Sequence, residues 1–285
     1  MESIFVSIAS YKDSDINNTI SDCFNRASHP ERVWVGLFLQ DTNQMTDDFK
    51  LWMDGFKWGT HIILKTAEES LGCGWARNVI LNQLYNGSDY FLCVDSHSRF
   101  LNGWDSKYIQ LHSELPTKGV ISVFPQRFEF NQSYLEYTEV DTFPQIYYPN
   151  APVWTYEFEH PHCMRSATKR YEKVITISGG NLFGRGEIVD IIKLDEWVFD
   201  STKEQEIYSL LLFKSGYDVY ATKDSVIFHK YIHKDDIYRE FNNPNVDTIS
   251  DFVNELKNYG GSERTHFLWL SEYFKDCDEC LKTKK

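Results

Sequence analysis

Short apolar runs alternate with stretches of helical spacing through the first hundred residues. Ser3-Ile-Phe-Val-Ser-Ile-Ala9 is β-branched and apolar enough for a buried strand, and it opens into the polar turn Ser10-Tyr11-Lys12-Asp13. Ile16, Ile20 and Phe24 then recur at helical spacing. A second strand is expected over Val33-Trp-Val-Gly-Leu-Phe-Leu39, ending in Gln40-Asp41, and a third over Thr60-His-Ile-Ile-Leu-Lys65. After Gly72-Cys-Gly-Trp-Ala-Arg77-Asn78, a helix through Ile80, Leu81 and Leu84 delivers the aromatic strand Tyr90-Phe-Leu-Cys-Val-Asp95. Strands separated by helices pair in parallel through crossovers, so the pattern predicts an α/β fold with a mostly parallel central sheet flanked by helices. Ligands of such sheets bind beyond the carboxyl ends of the strands, where Ser10, Gln40 and Asp95 all fall.

The pattern loosens further on. The stretch 128–164 is crowded with Tyr, Pro, Glu and Asn and reads as an irregular insertion reaching to about 173. Its Tyr147-Tyr148-Pro149 and Pro152-Val-Trp154 fit either an aromatic wall of a cleft or a surface excursion packed on itself. Val174-Ile-Thr-Ile177 leads to Ser178-Gly179-Gly180-Asn181, whose two glycines allow close backbone approach to a ligand; a plain strand-to-helix turn is the competing reading. Glu204 and Glu206 open a helix that continues through Ile207 to Phe213, and a carboxylate there also suits a helix N-terminus with no ligand at all. The segment 236–285 reads as a helical extension, clearest over 249–256.

Composition narrows the choices. A chain of 285 residues buries a full core, and one domain over 1–235 with that extension is the simplest division. The formal charge of −13 argues against a nonspecific nucleic-acid surface, which needs clustered Lys and Arg. The sequence presents neither a cationic leader nor an apolar stretch of membrane-spanning length, so a soluble, cytoplasmic protein without a membrane partner is expected; for a viral protein that means the host-cell cytoplasm. The scattered Cys23, Cys73, Cys93 and Cys163 read as thiols of a reducing compartment, and Cys277-Asp-Glu-Cys280 lacks a second pair at zinc-finger spacing.

The candidate chemistry starts at Asp95-Ser-His97. On an extended chain residues i and i+2 share a side, so this Asp-x-His pair would reach one ion together. Carboxylate and imidazole suit Mn²⁺ or Mg²⁺ better than structural zinc. Arg77, near a glycine-rich turn that begins a helix, fits either an anion contact or a helix-face salt bridge.

A set of segments in fixed order carries a family resemblance. Ile4-Phe-Val-Ser-Ile-Ala-Ser-Tyr-Lys-Asp13, Ala27-Ser-His-Pro-Glu-Arg-Val33, Trp75-Ala-Arg77, Asp95-Ser-His-Ser-Arg-Phe100 with Trp104-Asp105, Ile177-Ser-Gly-Gly-Asn-Leu-Phe183, Gly216-Tyr-Asp-Val-Tyr220 and Phe228-His229-Lys-Tyr231 succeed one another. Together they resemble the N-acetylglucosaminyltransferase family whose best-known member modifies hydroxyproline on the cytoplasmic Skp1 protein and, more distantly, the polypeptide N-acetylgalactosaminyltransferases. The resemblance implies a GT-A fold, a UDP-sugar donor with GlcNAc as first choice, a hydroxyl acceptor and retention of anomeric configuration. It implies His229 as the last metal ligand beside Asp95 and His97, and Arg77 as a nucleotide-sugar contact. In this reading Ser10, Tyr11 and Asp13 cradle uracil and ribose with Gln40 nearby, Gly179 and Gly180 admit the donor, and Asn181 bonds sugar hydroxyls. The acidic pair lines the sugar site, with Glu206 preferred and Glu204 as alternate. The local Lys203-Glu-Gln-Glu206 departs from the family's Gly-Glu-Glu, which leaves the choice of carboxylate and the donor sugar open. Two other readings stay beside it: a transferase acting on modified DNA bases or a glycan, and a noncatalytic sugar- or nucleotide-binding module.

Overall fold

The computed structural model describes residues 2–41, 49, 55, 59–130, 137–139, 145–149, 162–167, 169–174, 177–196 and 204–231. The expected extension over 236–285, Pro152 to Trp154 and the Cys277–Cys280 pair lie outside them.

The four apolar runs form β1 (Ile4–Tyr11), β2 (Val33–Gln40), β3 (Thr60–Lys65) and β4 (Tyr90–Asp95). They lie in parallel, with β1 between β2 and β4 and β3 beyond β2. Alternate residues of β1 enter different layers: Phe5 packs with Phe38, Ile80 and Phe91, whereas Ile4, Val6 and Ile8 pack with Ile20, Phe24 and Trp104. Burial on both faces explains why the strand reads as a continuous apolar run. Each such side chain contributes roughly 1.5–3 kcal/mol on leaving water. The layers are built on helices α1 (Ile16–Asn25), α2 (Cys73–Gln83) and α3 (Trp104–Ser113).

Beyond β4 the sheet is mixed. Strands β6 (Gly119–Ser122), β11 (Glu172–Val174), β12 (Asn181–Arg185) and β13 (Asp218–Ala221) complete an eight-stranded order β11-β13-β6-β12-β4-β1-β2-β3. The turn Ser178–Asn181 closes on itself as a bridge and feeds β12, antiparallel to β4, rather than starting a helix. Helices α4 (Val189–Ile192) and α5 (Glu204–Lys214) pack beside this half.

A second sheet, ordered β5-β14-β7-β8, starts just past the carboxyl end of β4; its strands are β5 (Ser98–Phe100), β7 (Gln126–Phe130), β8 (Tyr137–Glu139) and β14 (Ile227–His229). Inside the expected insertion, β9 (Gln145–Pro149) and β10 (His162–Ser166) form a separate antiparallel pair. Among the described residues no helix is long and apolar enough to cross a membrane.

Buried Asp105 at the start of α3 ties that helix to the segment before β2. Its carboxylate accepts the Ser28 and His29 amides at 2.7 and 3.0 Å and the Arg32 guanidinium through Nε at 3.0 Å and Nη2 at 2.7 Å.

Candidate active site

Strand β4 ends at Asp95, and Ser96–His97 form a turn before β5 begins. Thr19 pins that turn: its hydroxyl donates to the Ser96 carbonyl at 2.7 Å and accepts the Ser98 amide at 3.1 Å. Asp95 and His97 therefore converge through a turn, not through the strand alternation expected from the sequence. Strand β14 pairs antiparallel with β5, setting His229 opposite Ser98, and the Lys230 amide donates to the His97 carbonyl at 3.1 Å. This pairing delivers the third group. One ligand atom each of Asp95, His97 and His229 lie within 4.8 Å of one another. His229 Nε2 stands 3.0 Å from Asp95 Oδ2 as an ion-pair contact, and its Nδ1 is buried without a hydrogen-bond partner.

Arg77, on α2, is almost wholly buried. Its Nη2 contacts Asp95 Oδ1 at 2.5 Å, and its Nη1 contacts Glu204 Oε1. Of the two sequence readings of Arg77 the salt bridge is present, as a clamp by two carboxylates, and the residue also lines the pocket. Burial alone would push the Asp95 carboxyl up, but Arg77 and the two imidazoles hold it well below the usual carboxylate range. One oxygen of Glu204 and Nε of Arg77 are buried without a hydrogen-bond partner.

The pocket over these groups encloses about 230 Å³ and is walled by Arg77, Asp95, Gly179, Gly180, Glu204 and His229, with Cys73, Phe124, Pro125, Ser178, Gln205 and Tyr231 around them. A Cβ at Gly179 would come within 2.5 Å of Glu204 Oε1 and 2.6 Å of Arg77 Nη1, and one at Gly180 would strike Asp95 Oδ2. The two glycines let the backbone lie directly on the charged cluster.

Ser10, Tyr11 and Gln40 gather at the carboxyl edge of the sheet, where β1 and β2 register Ser10 against Leu39 and Tyr11 against Gln40. Ser10 Oγ and Gln40 Oε1 are buried and unpartnered, while Gln40 Nε2 donates to the Ser10 carbonyl at 3.3 Å. Two expected contacts are turned elsewhere. Asn181 does not line the pocket: its oxygen accepts Tyr108 Oη at 2.6 Å within the core. Asp13 faces His97 rather than the open edge, accepting His97 Nδ1 at 2.6 Å and Ser96 Oγ at 2.5 Å. Glu206 lies in the first turn of α5, but its side chain is outside the described set. Gln205, which the sequence reading did not single out, and Cys73, read there only as a thiol, line the pocket.

A family model described as Glycosyltransferase (GlcNAc) matches residues 3–57 and 58–267. No curated protein matches the chain in sequence. Among solved structures, GalNAc-T7 with UDP, GalNAc and Mn²⁺ aligns with a TM-score of 0.64 at 10% identity, covering 100% of this chain and 58% of that one. Staphylococcus aureus TarS 1–349 in complex with UDP-GlcNAc aligns with a TM-score of 0.52 at 13% identity, covering 90% of this chain and 65% of that one. The chain thus spans less than two thirds of either protein, and at such identities the likeness is one of fold, the GT-A glycosyltransferase fold.

Proposed function

This chain belongs to the GlcNAc glycosyltransferase family, and from that premise we propose that it moves N-acetylglucosamine from UDP-GlcNAc to a hydroxyl acceptor, using a divalent cation at Asp95, His97 and His229. The observation that carries the reading is the convergence of those three ligand atoms within 4.8 Å. One carboxylate and two imidazoles form a donor set suited to Mn²⁺, and Mg²⁺ is the alternative. When bound, the cation supplies Lewis-acid stabilisation of the diphosphate leaving group.

The chain's own residues complete the site. Arg77 keeps Asp95 ionised and sets a fixed positive charge beside the leaving group, where preorganised electrostatics count most. The free oxygen of Glu204 accepts a hydroxyl of the sugar, and Glu206 is the second carboxylate candidate on the acceptor side. The pocket of about 230 Å³ falls below the ~300–1,000 Å³ usual for ligand clefts, so it takes the sugar end of the donor. The nucleoside then runs along the strand edge to Ser10, Tyr11 and Gln40, whose unpartnered Ser10 and Gln40 atoms offer hydrogen bonds to uracil. Retention of anomeric configuration and a protein, glycan or modified-base hydroxyl as acceptor rest on the family resemblance.

A panel of UDP- and GDP-sugars, assayed for hydrolysis with Mn²⁺, Mg²⁺ or chelator, tests the reading. UDP-GlcNAc should turn over with the metals and not with chelator. Binding of UDP-GlcNAc without turnover under any metal or acceptor would instead mark a noncatalytic binding module.

A further inference from the structure

Asp13 was expected at the ribose, yet its carboxylate is 4% exposed and turned away from the open edge. Three donors converge on it: His97 Nδ1 at 2.6 Å and Ser96 Oγ at 2.5 Å on Oδ2, and the Asp15 amide at 2.9 Å on Oδ1. A carboxylate offers these groups only acceptor oxygens, so the imidazole nitrogen facing it carries a proton, and in the neutral ring the opposite nitrogen, Nε2, keeps its lone pair.

We infer that Asp13 is a positioning residue for the cation site, locking the His97 ring and its tautomer so that Nε2 is presented beside Asp95 and His229. The inference rests on the metal reading above but concerns a residue that does not itself reach the cation. Without the Asp13 carboxylate, Nδ1 keeps only the longer Ser96 Oγ contact at 3.4 Å, and that hydroxyl can donate as well as accept, so the proton can move to Nε2, which removes the lone pair from the site. Groups in this position typically govern metal affinity by ~10–100-fold.

The test is Mn²⁺ affinity, measured by electron paramagnetic resonance of the unbound ion in the absence of nucleotide, together with uridine affinity by calorimetry. Asp13→Ala should weaken Mn²⁺ by tenfold or more, leave uridine binding within twofold, and shift the ¹⁵N signals of His97 toward the Nε2-protonated form. Unchanged Mn²⁺ affinity overturns the inference; loss of uridine binding with Mn²⁺ affinity intact returns Asp13 to the ribose. If the alanine variant does not fold, Asp13→Asn keeps the shape but offers one acceptor oxygen to three donors. It should still weaken Mn²⁺ by threefold or more, and native affinity there overturns the inference equally. Failure of the wild-type chain to bind Mn²⁺ would instead sink the metal reading itself.

Discussion

At Gly180 the missing side chain matters more than the backbone angle, because a Cβ would occupy the place of an Asp95 oxygen. Gly180→Ala should displace that carboxylate and cut turnover by about a hundredfold, the usual cost of a misplacement near 1 Å, with little change in melting temperature. Turnover by Gly180→Ala close to wild type would remove Asp95 from the reaction. Arg77 carries a different risk. It compensates two carboxylates in a buried cluster, so Arg77→Met should destabilise the chain by roughly 3–5 kcal/mol in urea unfolding. Arg77→Lys should recover little of this, since an ammonium does not bridge two carboxylates as a planar fork does. The sequence made Asp95 and His97 legible because they sit at the mouth of an apolar run, whereas Arg77, inside a helix that follows glycines, joined them only through the family resemblance. It could not reveal Asp13 behind His97 or Asn181 under Tyr108: a turn aspartate and a post-glycine asparagine look the same whether they face a ligand or a partner dozens of residues away.

The elements were readable where burial is two-sided. Strands β1, β2 and β4 announced themselves as unbroken apolar runs because helices cover both faces. The return strand β12 did not, since Gly179-Gly180 read either as a close approach to a ligand or as a strand-to-helix turn, while the chain reverses there into an antiparallel strand. Strands β5 and β14 are three residues each, too short to give a periodicity, yet their pairing brings His229 to the site. Anchoring between elements is separable from chemistry. Asp105→Ala should cost about 3–5 kcal/mol, since Arg32 and two amides lose a wholly buried partner. Mn²⁺ affinity, titrated on the folded variant, should stay within twofold of wild type, and a larger drop would mean that α3 and the cation site are coupled.

Across the whole molecule the parallel half ends at Ser10, Gln40 and Asp95, and β14 of the second sheet brings His229 beside Asp95. A cation that binds only the folded chain raises stability by mass action, about 2.7 kcal/mol at a hundredfold excess over Kd. Mn²⁺ should therefore raise the melting temperature of the wild-type protein and leave that of His229→Ala unchanged; equal shifts in both would place the ion elsewhere. UDP should bind more tightly with Mn²⁺ than without, and ADP weakly in either case. Equal affinities for the two nucleotides would count against a uridine edge at Ser10 and Gln40.

The pairing of β14 with β5 also orders events during synthesis. A chain halted on the ribosome before residue 227 already holds Asp95, His97 and the Asp13 that backs it, but it lacks the imidazole that completes the triad. On the proposed cation reading, loading of the ion waits until β14, the last of the described strands, has emerged. Stalled nascent chains of increasing length, probed with Mn²⁺, would show retention switching on only after β14 clears the exit tunnel, which would make metal capture a maturation checkpoint.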